Sequence, residues 1–246
     1  MPHDELGPLL LQSVAVEAAV DSAEQQSETT TTEARGAGAR RRPQLSWIQL
    51  IVLGLAVLWL GGVLGFGFVS WAGRPGADSA DVGYLQDMIT HHEQALAMAN
   101  YELANGELPG VQIFAREILL QQSYEIGLME AKLKEWGYLR SERPITAMGW
   151  MGMGMPVDSM PGLATEAQMQ TLRDARGIEA DRLFFELMAA HHRGGVDMGR
   201  AGAERASDDW VQELAGRQAN NQVIEINEFI LTAERVDLEV DIEPYE

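Results

Sequence analysis

The segment Asp87–Ala99 reads DMITHHEQALAMA, and one hundred residues further on Leu187–Gly199 reads LMAAHHRGGVDMG. Four of the chain's five histidines fall in these two adjacent pairs, His91–His92 and His191–His192. Methionines frame each pair: Met88 and Met98 in the first, Met188 and Met198 in the second. Imidazole nitrogen and thioether sulfur are ligands for soft or borderline transition metals. With 12 methionines and no cysteine, the thioether is the soft sulfur this chain has to offer. The pattern points to copper, Cu(I) above all, with another transition metal as the wider class. The rival reading is a polar core, since a lone histidine on an apolar helix face is more often a hydrogen-bonded core residue. Methionine at helical spacing is likewise more often packing. Four imidazoles on inner stripes are harder to explain that way, because each buried one needs a polar partner.

Positioning these residues requires helices. Leu85, Ile89, His92, Leu96, Ala99 and Leu103 recur at spacings of four and three, the pattern of a core seam, and Tyr84, Met88, His91, Ala95 and Met98 form the seam beside it. Phe185, Ala189, His192 and Val196, next to Phe184, Met188, His191 and Met198, repeat the arrangement. Adjacent histidines diverge by about 100° around the axis, so each pair spans a wide stripe. The second helix of each half places Gln122 and Glu125, and Gln222 and Glu225, on one face. A carboxylate there can accept the second N–H of a buried imidazole and strengthen it as a ligand.

Start and stop signals give the boundaries. Asp78 or Ser79 caps the first helix, which runs to about Asn105, and the second follows Pro109 to about Trp136–Gly137. Thr165 with Gln168 forms a capping box for a short helix ending near Gly177. Another long helix covers about Glu179 to Ala206, and Ser207 or Asp208 caps the last, to about Glu234. Strand alternation is absent, apart from the unassigned tail VDLEVDIEPYE. At the same offset of one hundred, Asp81 matches Asp181, and Gln122, Glu125 and Ile126 match Gln222, Glu225 and Ile226. The expected fold is all-α: a ferritin-like four-helix bundle from two duplicated helical hairpins, since neither hairpin can bury its apolar stripe alone.

Before these helices, Gln44 to Gly73 carries no charge and is almost wholly apolar, long enough to cross a bilayer as a helix. Trp47 and Trp71 sit near its ends, and Arg35, Arg40, Arg41 and Arg42 precede it, against Arg74 after it. The positive-inside rule then predicts a cytoplasmic N-terminus and an extracytoplasmic remainder in the cell membrane. A cleaved signal peptide is disfavoured by the long leader and the long apolar run. The expected organisation is a disordered cytoplasmic tail over 1–44, a single-pass transmembrane helix over 45–72, a helical domain over 78–236 and an acidic tail over 237–246.

The loop over 148–160, MGWMGMGMPVDSM, holds Met148, Met151, Met153 and Met155 among glycines and should form no regular core element. Those thioethers form a candidate auxiliary copper site; the bland alternative is a loop packed over the bundle. A net charge of −19 argues against nucleic acid as a partner. Ferritin-like di-iron chemistry needs Glu-x-x-His, and here Met88 and Met188 stand where those glutamates would be. No glycine-rich phosphate loop or serine elbow is present, so no catalytic residues are assigned and an enzyme is disfavoured.

At the doubled motif the sequence resembles the bacterial domain-of-unknown-function family numbered three hundred and five, sometimes called ferritin-like. Its hallmark is matched by Met88, Ile89, His91, His92, Ala95, Met98 and Ala99. The second copy keeps Met188, His191, His192 and Met198 but has Ala189, Gly195 and Gly199 at the other positions. The resemblance covers about Ser79 to Glu234 and implies an extracytoplasmic four-helix domain, with copper binding and copper tolerance in some relatives. The leading expectation is a membrane-anchored protein that sequesters or hands on Cu(I). The alternatives are an interaction module accompanying a membrane protein partner and, less favoured, a metal-dependent redox enzyme.

Overall fold

Ser79, extended at φ −70° and ψ 156°, turns its hydroxyl onto the Val82 N–H and opens a helix over Ala80–Asn105. In the computed structural model, which describes residues 45–245 apart from Arg143, this is the second helix, α2. The first, α1, is Trp47–Ala72. Its segment Trp47–Gly65 has a mean hydropathy of 2.2 and is long and apolar enough to cross a membrane. Expectations placed on residues 1–44, the four arginines included, and on the Trp71 side chain lie outside the described residues. The chain divides between Gly67 and Phe68 into two units, and α2 with all later elements belongs to the second.

In that unit α3 spans Pro109–Glu135, with proline at its start, where a missing N–H costs nothing. The Thr165–Gln168 capping box is present and starts α4, Glu166–Asp174, which stops short of the expected Gly177. The last two helices are α5, Ile178–Arg205, and α6, Asp209–Arg235, the latter capped by Asp208 on the N–H groups of Trp210 and Val211. The protein is mostly helical, and the pairs α2–α3 and α5–α6 pack along their lengths while α2 lies on α5. Both hairpins end alike. Gly137 (φ 86°) and Asp237 (φ 55°) take the left-handed position, and the following N–H groups, of Tyr138 and Leu238, return to Leu133 and Ala233 at 2.9 Å.

The core has two apolar clusters. Tyr84, Leu85, Met88, Ile89, Met129 and Met198 belong to one; Met98, Phe184, Phe185, Met188 and Phe229 belong to the other. In the second, Phe185 stacks on Phe229 with centroids 5.0 Å apart. Each such fully buried side chain contributes about 1.5–3 kcal/mol.

Two expectations need correction. The loop between the halves does contain strands, an antiparallel pair Thr146–Ala147 with Met155–Pro156. Two residues are too short for alternation to register in a sequence. The loop also supplies core: Met148 and Met160 are 1% and 2% exposed. Asp87 secures it, accepting the Met148 N–H and the Trp150 indole N–H on one oxygen, each at 2.8 Å. The C-terminal stretch lies on the helices, with Leu238 buried and Val240 and Ile242 packed against the second cluster. Tyr245 there faces the guanidinium groups of Arg193 and Arg200.

Candidate metal centre

The two helices that carry the histidines meet at them. His91 on α2 and His191 on α5 bring their rings to 3.7 Å between centroids, tilted by 34°. All four imidazoles are fully buried. His191 donates from Nε2 to the His91 carbonyl at 2.9 Å. The second histidine of each pair turns away to a glutamate: His92 Nε2 lies 2.7 Å from Glu125 on α3, and His192 Nε2 lies 2.6 Å from Glu225 on α6. The expected imidazole–carboxylate pairs therefore form in both halves.

Gln122 and Gln222 make no such bond among the described residues, where their buried side-chain oxygens have no hydrogen-bond partner. The residue that sequence reasoning missed is Gln218. It donates to Glu125 at 2.8 Å and accepts the Tyr84 hydroxyl at 2.5 Å. Its signal was present, since 218, 222, 225 and 229 follow helical spacing along α6.

The Nδ1 atoms of all four histidines, and Nε2 of His91, are buried with no hydrogen-bond partner among the described residues. These nitrogens are the free donors of the core. Met88, Met98, Met188 and Met198 are all fully buried. They fall in two groups, Met88 with Met198 in one apolar cluster and Met98 with Met188 in the other. The loop methionines are scattered: Met148 is core, Met151 and Met155 pack partly buried, and Met153 is exposed. Among the described residues no group of three or more histidine, aspartate or glutamate side chains is arranged to hold a metal. Any centre here would rest on imidazoles completed by thioethers.

Electrostatics keeps the central pair uncharged. Burial, reinforced by His92 and His192 and opposed by the Pro161 carbonyl, pushes His91 down to about 3. Burial, then the neighbouring imidazoles, takes His191 well below its ordinary value. Burial alone would raise Glu125, but His92, Gln218 and Gln121 together hold it below the usual carboxylate value. A neutral imidazole with a free nitrogen is the form that ligates metal.

The same shifts set a pH dependence. Below the ordinary histidine value of 6.5 the unfolded chain takes up protons that His91 and His191 refuse in the core. The cost these two histidines add is therefore absent above 6.5 and grows on acidification, by about 1.4 kcal/mol per pH unit for each histidine. Glu102 acts in the opposite sense. Burial, with the neighbouring Asp181 carboxyl, raises it from 4.5 to about 8, so its contribution is present below 4.5 and lost as pH rises towards 8. Glu102→Gln should flatten the decline between pH 6.5 and 8, read as denaturant midpoints. An unchanged alkaline slope would remove Glu102 as its source.

The family described as Domain of unknown function (DUF305) matches residues 81–231, the stretch from Asp81 to Leu231 that holds every residue of this site. The chain belongs to the DUF305 family. A DUF305 protein from Streptomyces coelicolor is similar at 32% identity and a TM-score of 0.62, over 68% of this chain and all (100%) of that one. A DUF305 fragment from Deinococcus radiodurans matches at 30% identity and a TM-score of 0.56, over 65% and 99% of the two chains. CopM in its Cu(II)-bound form matches at 24% identity and a TM-score of 0.49, over 64% and 97%. Structures of CopM in Cu(I)-bound and Ag-bound forms also match. At that level of likeness nothing about metal is carried to the DUF305 chain described here. No curated protein matches it.

Proposed function

We propose that this protein is a membrane-anchored, extracytoplasmic copper-handling protein that takes Cu(I) as cargo, for sequestration or transfer. In this reading α1 is the anchor, with the N-terminus in the cytoplasm. The domain over 78–236 is a four-helix bundle from two duplicated hairpins, α2–α3 and α5–α6. One observation carries the copper assignment: a closely apposed, buried His91–His191 pair, held neutral, among imidazole nitrogens that have no hydrogen-bond partner among the described residues. An orphaned buried nitrogen costs about 1–3 kcal/mol, and a soft cation bound there removes that cost. His91 and His191 would be the nitrogen donors, with Met88, Met98, Met188 and Met198 as the sulfur donors within the core. His92 and His192 would contribute through Nδ1 while Glu125 and Glu225 fix their tautomer.

The test is a Cu(I) titration of the purified full chain in detergent, under reducing conditions, against a competing chelator. Stoichiometric uptake is the expected result. Copper that stays with the chelator would reject the assignment. A second reading, an interaction module for a membrane protein partner, is favoured by the lack, among the described residues, of a histidine–carboxylate cluster of three or more. It predicts no copper uptake, and a partner whose co-purification survives chelation.

A further inference from the structure

All four imidazoles are sealed from water, so an ion that reaches them needs part of the wall to move. The least costly part to move is a piece of backbone that interlocks few side chains. Residues 160–164, at the end of the loop between the halves, are such a piece. They lie on α2 and α5 at two positions that the duplication matches, Gln94 and Gly194. On α5 the contact is backbone on backbone. A Cβ on Gly162, left-handed at φ 84°, would stand 2.7 Å from the His191 carbonyl oxygen and 3.0 Å from Gly194 Cα. A Cβ on Gly194 would stand 2.1 Å from the Pro161 carbonyl oxygen. On α2 one side chain holds the segment. The Gln94 amide donates to the Ala164 carbonyl at 2.9 Å and accepts the Ala164 N–H at 2.7 Å. The Pro161 carbonyl also lies beside the His91 ring, whose nitrogens make no hydrogen bond of good geometry among the described residues.

We propose that residues 160–164 are a strap that opens to admit Cu(I) to the His91–His191 pair, with Gln94 as the positioning residue that keeps it shut. The proposal rests on the copper reading above. Lifting the strap breaks the two Gln94 hydrogen bonds and withdraws Met160, which is 2% exposed in the cluster of Met88 and Met198. Burial of that side chain draws the strap back. Entry between the helices would instead part side chains packed to core density. The Gln94 bonds hold the strap equally over an empty and a loaded core. Weakening them therefore changes the speed of exchange and not the affinity.

The experiment loads full-length protein in detergent with stoichiometric Cu(I) and mixes it with excess bicinchoninate, whose colour reports release. Equilibrium competition at limiting chelator gives the affinity. Gln94→Ala removes both hydrogen bonds, and Gly194→Ala sets a methyl group against the Pro161 carbonyl. Each should speed release about tenfold, the worth of one to two hydrogen bonds, and leave affinity within about a factor of two. In the copper-free variants, hydrogen exchange should quicken at residues 160–164 and keep its wild-type rates in α2 and α5. Faster exchange with wild-type release would overturn the strap as the entrance. So would release that quickens only in step with a loss of affinity, since these residues would then support binding and not passage. Wild-type exchange in both variants would overturn Gln94 and Gly194 as the contacts that hold the strap. If wild type takes up no copper, the copper reading itself fails, an outcome distinct from wild-type uptake with unchanged release in both variants, which fails the strap alone.

Discussion

Asp181→Ala and Asp81→Ala should each lower the unfolding free energy by about 3 kcal/mol. Each aspartate sits in the first turn of one histidine-bearing helix and ties down the start of a helix in the other hairpin. Asp81 on α2 accepts the N–H groups of Ser207 and Asp208, at 2.9 and 2.8 Å, just before α6. Asp181 on α5 accepts those of Glu107 and Leu108, each at 3.0 Å to its nearer oxygen, just before α3. Both carboxylates are buried. Alanine would leave two backbone donors unpaired in each case, and an unpaired buried donor costs about 1–3 kcal/mol. Urea unfolding of the full chain, followed by tryptophan fluorescence, measures both losses. The asparagine variants keep an acceptor oxygen and should recover most of the loss. Losses below about 1 kcal/mol would mean that water satisfies these donors, and that the hairpins are held by apolar packing alone.

That exchange shows where sequence reasoning stops. Asp81 and Asp181 were visible as a matched pair, but their partners lie more than seventy and more than one hundred residues away. Contacts of that kind leave no local pattern. What is local was legible: Ser79, Pro109, Thr165 and Asp208 each open a helix where their chemistry puts them. The imidazole–glutamate pairs were legible too, because helical spacing fixes which faces can meet. Gln218 was lost because it has no matching glutamine in the other half, so a search by repetition passed over it. The burial of Met148 was hidden for a different reason. It depends on Asp87 reaching across to a loop whose glycines suggest exposure.

His91→Leu with His191→Leu should abolish most copper uptake and at the same time stabilise the copper-free protein by about 1–3 kcal/mol. The expectation follows from the imbalance at the pair. The His91 ring nitrogens make no hydrogen bond of good geometry among the described residues, the Pro161 carbonyl lying beside the ring, and the pair is buried deeply enough that neither ring takes a proton at neutral pH. Leucine is close to imidazole in volume and leaves no donor or acceptor behind, so the apolar clusters on either side gain packing and lose a desolvated polar group. A core built for stability alone would hold such residues here. A rise in denaturant midpoint at neutral pH, with the acid sensitivity between pH 6.5 and 3 reduced, would identify the histidines as groups kept at the expense of stability. A fall of more than about 2 kcal/mol would identify them as structural partners whose hydrogen bonds the core depends on. The copper titration on the same variant separates the two. Tight uptake without either ring would move the site to the flanking pairs, His92–Glu125 and His192–Glu225, and to the thioethers beside them.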